Sequence, residues 1–183
     1  MNPSHVSVIS FIRNLAPKHL LVRISRLTLV ATSLSIMVPT GVAADIYLVR
    51  HAEKLDGDDP GLTECGRQRA QWLASYFSSL PVTAVFTTPY RRTNETAAPV
   101  AQYHNLPVQE YNPRDLADFS LSLAAREGDV LVVGHSNTTP QLVRLLSSGK
   151  VEDLDESQFD RLYRVNDEGD WHVELQSFEC VSD

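Results

Sequence analysis

A short apolar run, Ile46–Val49, ends at an arginine and a histidine, Arg50 and His51. The fork of an arginine side chain is always charged and matches the oxygens of phosphate, and a neutral imidazole is a nucleophile near pH 7. An apolar run of this length, rich in β-branched and aromatic residues, predicts a buried strand. Ligands of open α/β sheets bind just beyond the carboxyl ends of strands. We therefore expect His51 to handle a phosphoryl group at such a strand end.

Two further apolar runs end at side chains that suit the same chemistry. Val130–Val133 is followed, one residue later, by His135, and the run 82–88 is followed by the adjacent arginines Arg91 and Arg92. If the three runs form neighbouring parallel strands, their ends share one rim of the sheet. Each feature alone is weak, because a strand-end histidine is more often a structural hydrogen-bonding group. Together, two imidazoles and several guanidinium groups predict a site for a tetrahedral dianion.

The elements that would hold these residues alternate between strands and helices. A short third strand is expected near an edge of the sheet, and the uninterrupted run 130–133 is expected at its centre. Thr139 and Pro140 suggest the N-cap and first residue of the last helix. The pattern predicts an α/β fold, a three-layer α/β/α sandwich with a mostly parallel central sheet and a C-terminal hairpin. The predicted strands are 46–49, 82–88, 108–111, 130–133, 161–166 and 171–178, and the predicted helices are 63–79, 92–104, about 116–128 and 139–146.

Four segments resemble motifs of the histidine phosphatase superfamily, which includes phosphoglycerate mutases and phosphohistidine phosphatases. Tyr47–Ala52 is similar to the family's opening strand, which ends Arg-His-Gly; here Ala52 replaces the glycine, and we expect it to narrow the pocket floor. Leu62–Gly66 agrees with the Leu-Thr-x-x-Gly motif that precedes the first helix. Thr88–Ala97 is similar to the second motif, and Val130–His135 to the last, an apolar strand followed by a histidine. The resemblance implies a phosphoglycerate mutase-like fold.

Matched position by position, the resemblance implies that His51 is the nucleophile that takes the phosphoryl group. Arg50, Arg92 and His135 would bind the phosphate oxygens and stabilise the charge of the transferring group. Arg92 fills the family's arginine position, whereas Arg91 fills a variable one and has at most a role at the rim. This chemistry requires no metal or cofactor, and the sequence contains no evident cluster of metal ligands.

The proton donor is less well defined by the sequence. Many family members carry a glutamate after the third strand, and Glu110 stands at about that place, although an exposed carboxylate at a strand end is an equally good interpretation. Glu53 is the alternative, since it lies two residues from His51 and could also line the entrance with Lys54. Without an acid, only good leaving groups such as phosphohistidine would transfer readily. Asn137 and Thr138 could contact the substrate or simply cap the last helix; the candidate substrate-binding residues are thus Arg50, Arg92, His135, Glu53, Asn137 and Thr138.

Residues 1–44 have the order of a secretory signal. They contain basic residues without acids, then the apolar stretch 27–38, then small residues at which cleavage is expected, after Ala43 or Ala44. An uncleaved amphipathic anchor is the alternative. We expect an exported domain, periplasmic or secreted, that spans residues 45–183 and has no stable membrane insertion once the signal is removed. Loss of four cations and no acid moves its formal charge from −7 to −11, which disfavours nucleic acid as a partner.

The expected function is therefore that of a phosphoric monoester hydrolase, an enzyme that hydrolyses a small phosphomonoester or a phosphohistidine through a phosphohistidine at His51. Its partner would be a small phosphorylated molecule. A phosphoglycerate mutase-type phosphotransferase is one alternative, and a non-catalytic domain that binds a phosphorylated ligand is another. The two cysteines, Cys65 and Cys180, could pair in an oxidising compartment, but their spacing in the sequence does not show that they meet.

Overall fold

The computed structural model describes residues 44–180, which contain one six-stranded sheet. The strands are β1 (Ile46–Arg50), β2 (Val82–Thr87), β3 (Val108–Glu110), β4 (Asp129–Gly134), β5 (Arg161–Val165) and β6 (Trp171–Leu175). Their spatial order is β3-β2-β4-β1-β5-β6. The first four strands in this order are parallel, and β5 and β6 add to β1 as an antiparallel hairpin. The predicted central position of β4, edge position of β3 and closing hairpin are confirmed.

Four helices cover both faces of the sheet: α1 (Glu64–Phe77), α2 (Arg91–Tyr103), α3 (Leu116–Ala124) and α4 (Thr138–Leu146). Alternate residues of a strand face opposite sides. In β1, Tyr47 and Val49 accordingly pack in the core with α1 and α2, whereas Ile46 and Leu48 pack in the core with α3 and α4. The predicted three-layer sandwich is confirmed. It places the carboxyl ends of β1, β2 and β4 side by side, since Arg50 pairs with Gly134 and Thr87 with Val133.

The start of α1 is locked against the loop that follows His51. Thr63 caps the helix, and its hydroxyl oxygen accepts a hydrogen bond from the backbone N–H of Gly66 at 3.0 Å. The N–H of Thr63 donates to the carbonyl oxygen of Glu53 at 2.9 Å. A Cβ on Gly66 would collide with that same carbonyl oxygen. Gly66 therefore allows the helix to approach the loop after His51 closely.

The start of α4 differs from the prediction. Asn137, not Thr139, is the N-cap, and its Oδ1 accepts a hydrogen bond from the N–H of Thr138 at 2.9 Å. Proline is tolerated throughout the first helical turn, because the N–H groups there have no partner within the helix. Pro140 can therefore be the third helical residue, and the hydroxyl of Thr139 instead donates to the carbonyl oxygen of Val49.

Cys65 at the start of α1 and Cys180 form a disulfide, with their Cα atoms 5.3 Å apart. The bond ties the segment after β6 to the first turn of α1. Apart from Ala44, the predicted signal in residues 1–44, with its cleavage after Ala43 or Ala44, lies outside the described residues. Within 44–180, no helix is long and apolar enough to cross a membrane.

Candidate active site

His51 is buried at the carboxyl end of β1, with 3% of its surface exposed. Its backbone N–H donates to the carbonyl oxygen of Gly134 at 2.9 Å, which joins the ends of β1 and β4. Its Nδ1 lies 2.8 Å from the carbonyl oxygen of Ala52. A carbonyl oxygen can only accept, so Nδ1 carries the hydrogen and Nε2 carries the lone pair. No hydrogen bond to Nε2 is formed by the described residues, and this nitrogen is available as a nucleophile.

His135 faces His51 from the end of β4, with 5.5 Å between the ring centroids. Its Nε2 lies 2.9 Å from the hydroxyl oxygen of Thr88, whose own hydrogen is directed to Thr93. Its Nδ1 lies 3.5 Å from Nη2 of Arg92, a group that can only donate. The network therefore assigns the hydrogen of neutral His135 to Nε2. The remaining lone pair, on Nδ1, points toward the Arg92 guanidinium.

Arg92 lies in the first turn of α2, and its guanidinium stacks on the ring of Tyr90 with 4.5 Å between Cζ and the ring centroid. Its Nη1 is 3.8 Å from Asp59, and its buried Nε has no hydrogen-bond partner within residues 44–180. Arg91, one residue earlier, points elsewhere: its side chain is exposed and bonds Glu95 at 2.6 Å. The structure thus separates the two arginines, with Arg92 beside the imidazoles and Arg91 outside.

Arg50 is also buried, but it is held by the connection between α4 and β5. Its Nη1 donates to three backbone carbonyl oxygens, of Asp155, Glu156 and Gln158, at 2.8–3.2 Å. Its Nη2 donates to the Glu156 carboxylate at 2.6 Å, and the ring of Phe159 lies 4.2 Å from its Cζ. Burial and these contacts immobilise the guanidinium behind the rim of the site, with Glu156 in front of it.

His51, Arg92, His135 and Glu156 border an open cavity of about 610 Å³ at the carboxyl ends of the strands. Its walls carry the cations Lys54, Arg92 and Arg114 and one carboxylate, that of Glu156. Positive charge therefore predominates at the cavity although the protein as a whole is acidic. The lining residues are His51, Lys54, Tyr90, Arg92, Pro113, Arg114, His135, Ser136, Asn137, Thr138 and Glu156.

Both imidazoles are held neutral. The pKa of His51 is lowered to about 3, and burial is the largest cause. The charge of Arg50 also lowers this pKa, whereas the hydrogen bond to the Ala52 carbonyl raises it. Burial and the charges of Arg92 and Arg50 lower the pKa of His135 to about 4. A neutral His51 keeps its Nε2 lone pair at physiological pH, which nucleophilic attack requires.

The other predicted site residues are divided between the cavity and its surroundings. Asn137 and Thr138 line the cavity, and the hydroxyl oxygen of Thr138 accepts a hydrogen bond from the N–H of His135 at 2.9 Å. Glu53 does not line it: its carboxylate is bound by the buried Arg69 at 2.6–3.0 Å. Glu110 is exposed at the end of β3 and is not among the lining residues. The proton-donor role predicted for Glu110 stays a prediction.

Ala52 does not form the floor of the cavity. Its side chain is fully buried in a small apolar cluster with Leu62 and Ala70, and it is not among the lining residues. The expectation that Ala52 narrows the pocket is therefore wrong. Its methyl group instead contributes to the packing that holds the loop after His51 against α1.

Sequence reasoning missed Glu156 and Ser136, whose hydroxyl donates to the Glu156 carboxylate. Glu156 belongs to a long connection in which acidic side chains follow one another, a pattern typical of a solvated loop. Among the described residues, one group of potential metal ligands comes together, Glu53, Cys65 and Cys180. The disulfide consumes both of its thiols.

Comparisons with known proteins agree with this geometry. The family model described as histidine phosphatase superfamily (branch 1) matches residues 46–114, which include Arg50, His51 and Arg92. A search of curated proteins found no match.

Solved structures share the fold at low sequence identity. The protein histidine phosphatase SixA, complexed with tungstate, is 21% identical, with a TM-score of 0.59, and the alignment covers 72% of this chain and 94% of that chain. A mycobacterial glucosyl-3-phosphoglycerate phosphatase is 13% identical, with a TM-score of 0.52 and coverage of 75% and 100%. A phosphoglycerate mutase from Bacillus anthracis is 16% identical, with a TM-score of 0.52 and coverage of 74% and 93%. Residues 46–114 thus match the histidine phosphatase superfamily model, and the chain shares its fold with these solved structures.

Proposed function

We propose that the protein is a phosphatase that hydrolyses a small phosphomonoester, or a phosphohistidine, through a covalent phosphohistidine at His51. The observation that carries the proposal is the orientation of His51. Its Nδ1 is bonded to the Ala52 carbonyl oxygen, whereas its Nε2 has no hydrogen-bond partner within the described chain. His51 lines the open cavity. A structural histidine would be expected to use both nitrogens. The superfamily and the phosphatases among the structural neighbours support the same activity.

In the proposed reaction, the Nε2 lone pair attacks phosphorus, and the bond from phosphorus to the leaving oxygen, or to the leaving nitrogen of a phosphohistidine, breaks. Arg92 is placed to donate to the phosphoryl oxygens, and its unpartnered Nε supplies a further donor. His135 can donate from Nδ1 once the phosphate dianion raises its pKa. Arg50 adds positive charge from behind the rim, and Asn137 lies where it can contact the substrate. Phosphoryl transfer needs mainly positioning and charge neutralisation, which these groups supply.

A rapid-quench experiment tests the proposal. The protein is mixed with a ³²P-labelled aryl phosphate and quenched in base, which preserves phosphohistidine, and the label is then tested for acid lability. We expect acid-labile label on the wild type and none on the His51→Ala variant. If the wild type neither becomes labelled nor releases phosphate from an aryl phosphate or a phosphohistidine donor, the phosphatase proposal is wrong and a phosphate-binding role takes its place. Phosphoryl exchange between two acceptors without phosphate release would instead indicate a mutase.

We also propose that the domain is exported. The order of residues 1–44 supports this, and so does the disulfide between Cys65 and Cys180, since disulfides persist mainly in oxidising compartments. Cell fractionation followed by N-terminal sequencing provides the test. A product that begins at Ala44 or Asp45 outside the cytoplasm is expected, and a full-length cytoplasmic product would contradict it.

A further inference from the structure

The cavity contains one carboxylate that the catalytic scheme above does not use. Glu156 lines the cavity, whereas Glu53 is bound by Arg69 away from it and Glu110 lies outside its lining. Asp59 approaches Arg92 only to 3.8 Å, and its Oδ1 accepts the backbone N–H of Arg91 at 3.0 Å. Of the carboxylates in the described chain, Glu156 is thus the one that borders the space in front of His51.

The Glu156 carboxylate is held at both oxygens although its side chain is 80% exposed. Oε2 accepts from Arg50 at 2.6 Å, and Oε1 accepts from the hydroxyl of Ser136 at 2.7 Å. Its backbone is fixed as well, because its own carbonyl oxygen and those of its neighbours bind Arg50. These contacts hold both oxygens of the exposed carboxylate in place at the cavity wall.

The same contacts determine the charge of Glu156. The hydrogen bond from Ser136 is the largest cause that lowers its pKa, and the charge of Arg50 lowers it further. The side chain is therefore ionised in the free protein and is suited to accept a proton rather than to donate one. Its exposure lets an accepted proton pass to solvent.

We propose that Glu156 is the general base for hydrolysis of the phosphohistidine. Its carboxylate takes one proton from the water that attacks phosphorus. The water oxygen forms the new bond to phosphorus, the bond between phosphorus and Nε2 of His51 breaks, and its electron pair returns to Nε2. The products are inorganic phosphate, neutral His51 with its hydrogen on Nδ1, and a protonated Glu156 that then ionises. This assignment rests on the proposed phosphatase function.

The assignment also limits the substrates. A carboxylate that is ionised at rest offers no proton to the leaving group in the first step. The substrate class it fits is therefore phosphoryl donors whose leaving groups depart without acid assistance, such as aryl phosphates, acyl phosphates and N-phosphoryl compounds. Simple alkyl phosphates should react much more slowly.

Single-turnover rapid-quench kinetics on Glu156→Gln test the proposal. Glutamine keeps the shape of the side chain and can still bond Arg50 or Ser136, but it cannot accept the proton. With an aryl phosphate, we expect phosphoenzyme to form within about threefold of the wild-type rate and to decay on the order of 10²-fold more slowly, so that label accumulates. Glu152→Gln serves as the matched control, because Glu152 is exposed in the same connection and does not line the cavity; it should behave as wild type.

Chemical rescue distinguishes a base from a positioning residue. Formate added to Glu156→Ala should restore much of the decay rate, whereas formate should not change the wild type. Equal decay rates in wild type and Glu156→Gln would overturn the proposal, as would a variant that is slow only in forming the phosphoenzyme, since that pattern shows that Glu156 merely positions Arg50. A wild type that never becomes labelled would instead remove the proposed function itself.

Discussion

The Nδ1 atom of His51 lies 2.8 Å from the carbonyl oxygen of Ala52, the residue that follows it in the chain. The peptide that carries this carbonyl is itself held, because the N–H of Ala52 donates to the buried hydroxyl of Thr96 at 2.9 Å. The His51 imidazole is therefore oriented by the backbone and by a helix residue, and no carboxylate of residues 44–180 bonds to it. A neutral carbonyl fixes the tautomer without adding negative charge beside the incoming phosphate.

This contact predicts the atom that is phosphorylated. The phosphoryl group should be attached to Nε2 of His51, because Nδ1 is blocked by its hydrogen bond. NMR of the phosphoenzyme, with coupling from ³¹P to the imidazole protons and nitrogens, distinguishes the two isomers. His135→Gln, if it still forms phosphoenzyme, should give the same isomer. Phosphorylation at Nδ1 would contradict the orientation described here.

The adjacent arginines provide a matched pair for testing phosphate binding. Arg92→Lys removes the planar fork and the unpartnered Nε donor, and we expect kcat/KM for an aryl phosphate to fall by about 10²–10³-fold. Arg91→Lys changes an exposed side chain bonded to Glu95, and we expect an effect of less than about threefold. Steady-state kinetics on both variants suffice. Equal losses would show that the separation of the two side chains has no functional meaning.

The site was predictable from the sequence wherever a residue ends a regular element. Arg50, His51 and His135 follow apolar runs whose strand character is encoded locally, and parallel pairing brings strand ends together without further information. Periodicity alone does not distinguish Arg92 from Arg91; the family motif did so, and the first turn of α2 directs only Arg92 to the cavity.

Glu156 could not be found in this way. It reaches the site through a connection with no periodic pattern, whose path depends on the three carbonyl oxygens that bind Arg50. The α4 start was misplaced for a related reason, since a proline permits several positions in the first helical turn and Asn137 competes with Thr139 as the cap. Local signals specify the elements, whereas contacts between distant segments specify the rest of the site.

The neutral imidazoles should destabilise the fold in acid. In the unfolded chain each histidine binds a proton near pH 6.5, whereas His51 does so only at about 3 and His135 at about 4 in the folded protein. Between the folded and the unfolded pKa of each histidine, the unfolded chain binds more protons than the folded protein. The free energy of unfolding therefore falls as the pH drops below about 6.5. Each histidine contributes a slope of up to about 1.4 kcal/mol per pH unit.

Urea denaturation of wild type and His51→Gln between pH 7 and pH 4.5 measures this slope. The variant should lose less stability per pH unit than the wild type, by up to about 1.4 kcal/mol, whatever its stability at pH 7. Parallel curves for the two proteins would mean that the pKa of His51 is the same in the folded and the unfolded protein, and the lowering of this pKa by burial would then be wrong.

The disulfide should make a large contribution to stability, because it closes a loop of 115 residues. Constraining a chain of this length in the unfolded state is worth about 2–5 kcal/mol. The double variant Cys65→Ser/Cys180→Ser should therefore unfold at clearly lower urea concentration than the wild type. Reduction of the wild type with dithiothreitol should reproduce the effect and leave the double variant unchanged.

The disulfide also ties the chain after β6 to the turn of α1 that packs on the Glu53 carbonyl, so its loss should loosen the loop after His51. Faster hydrogen exchange at the N–H of Thr63, which donates to that carbonyl, would confirm the link, and unchanged exchange would confine the disulfide to a role in global stability.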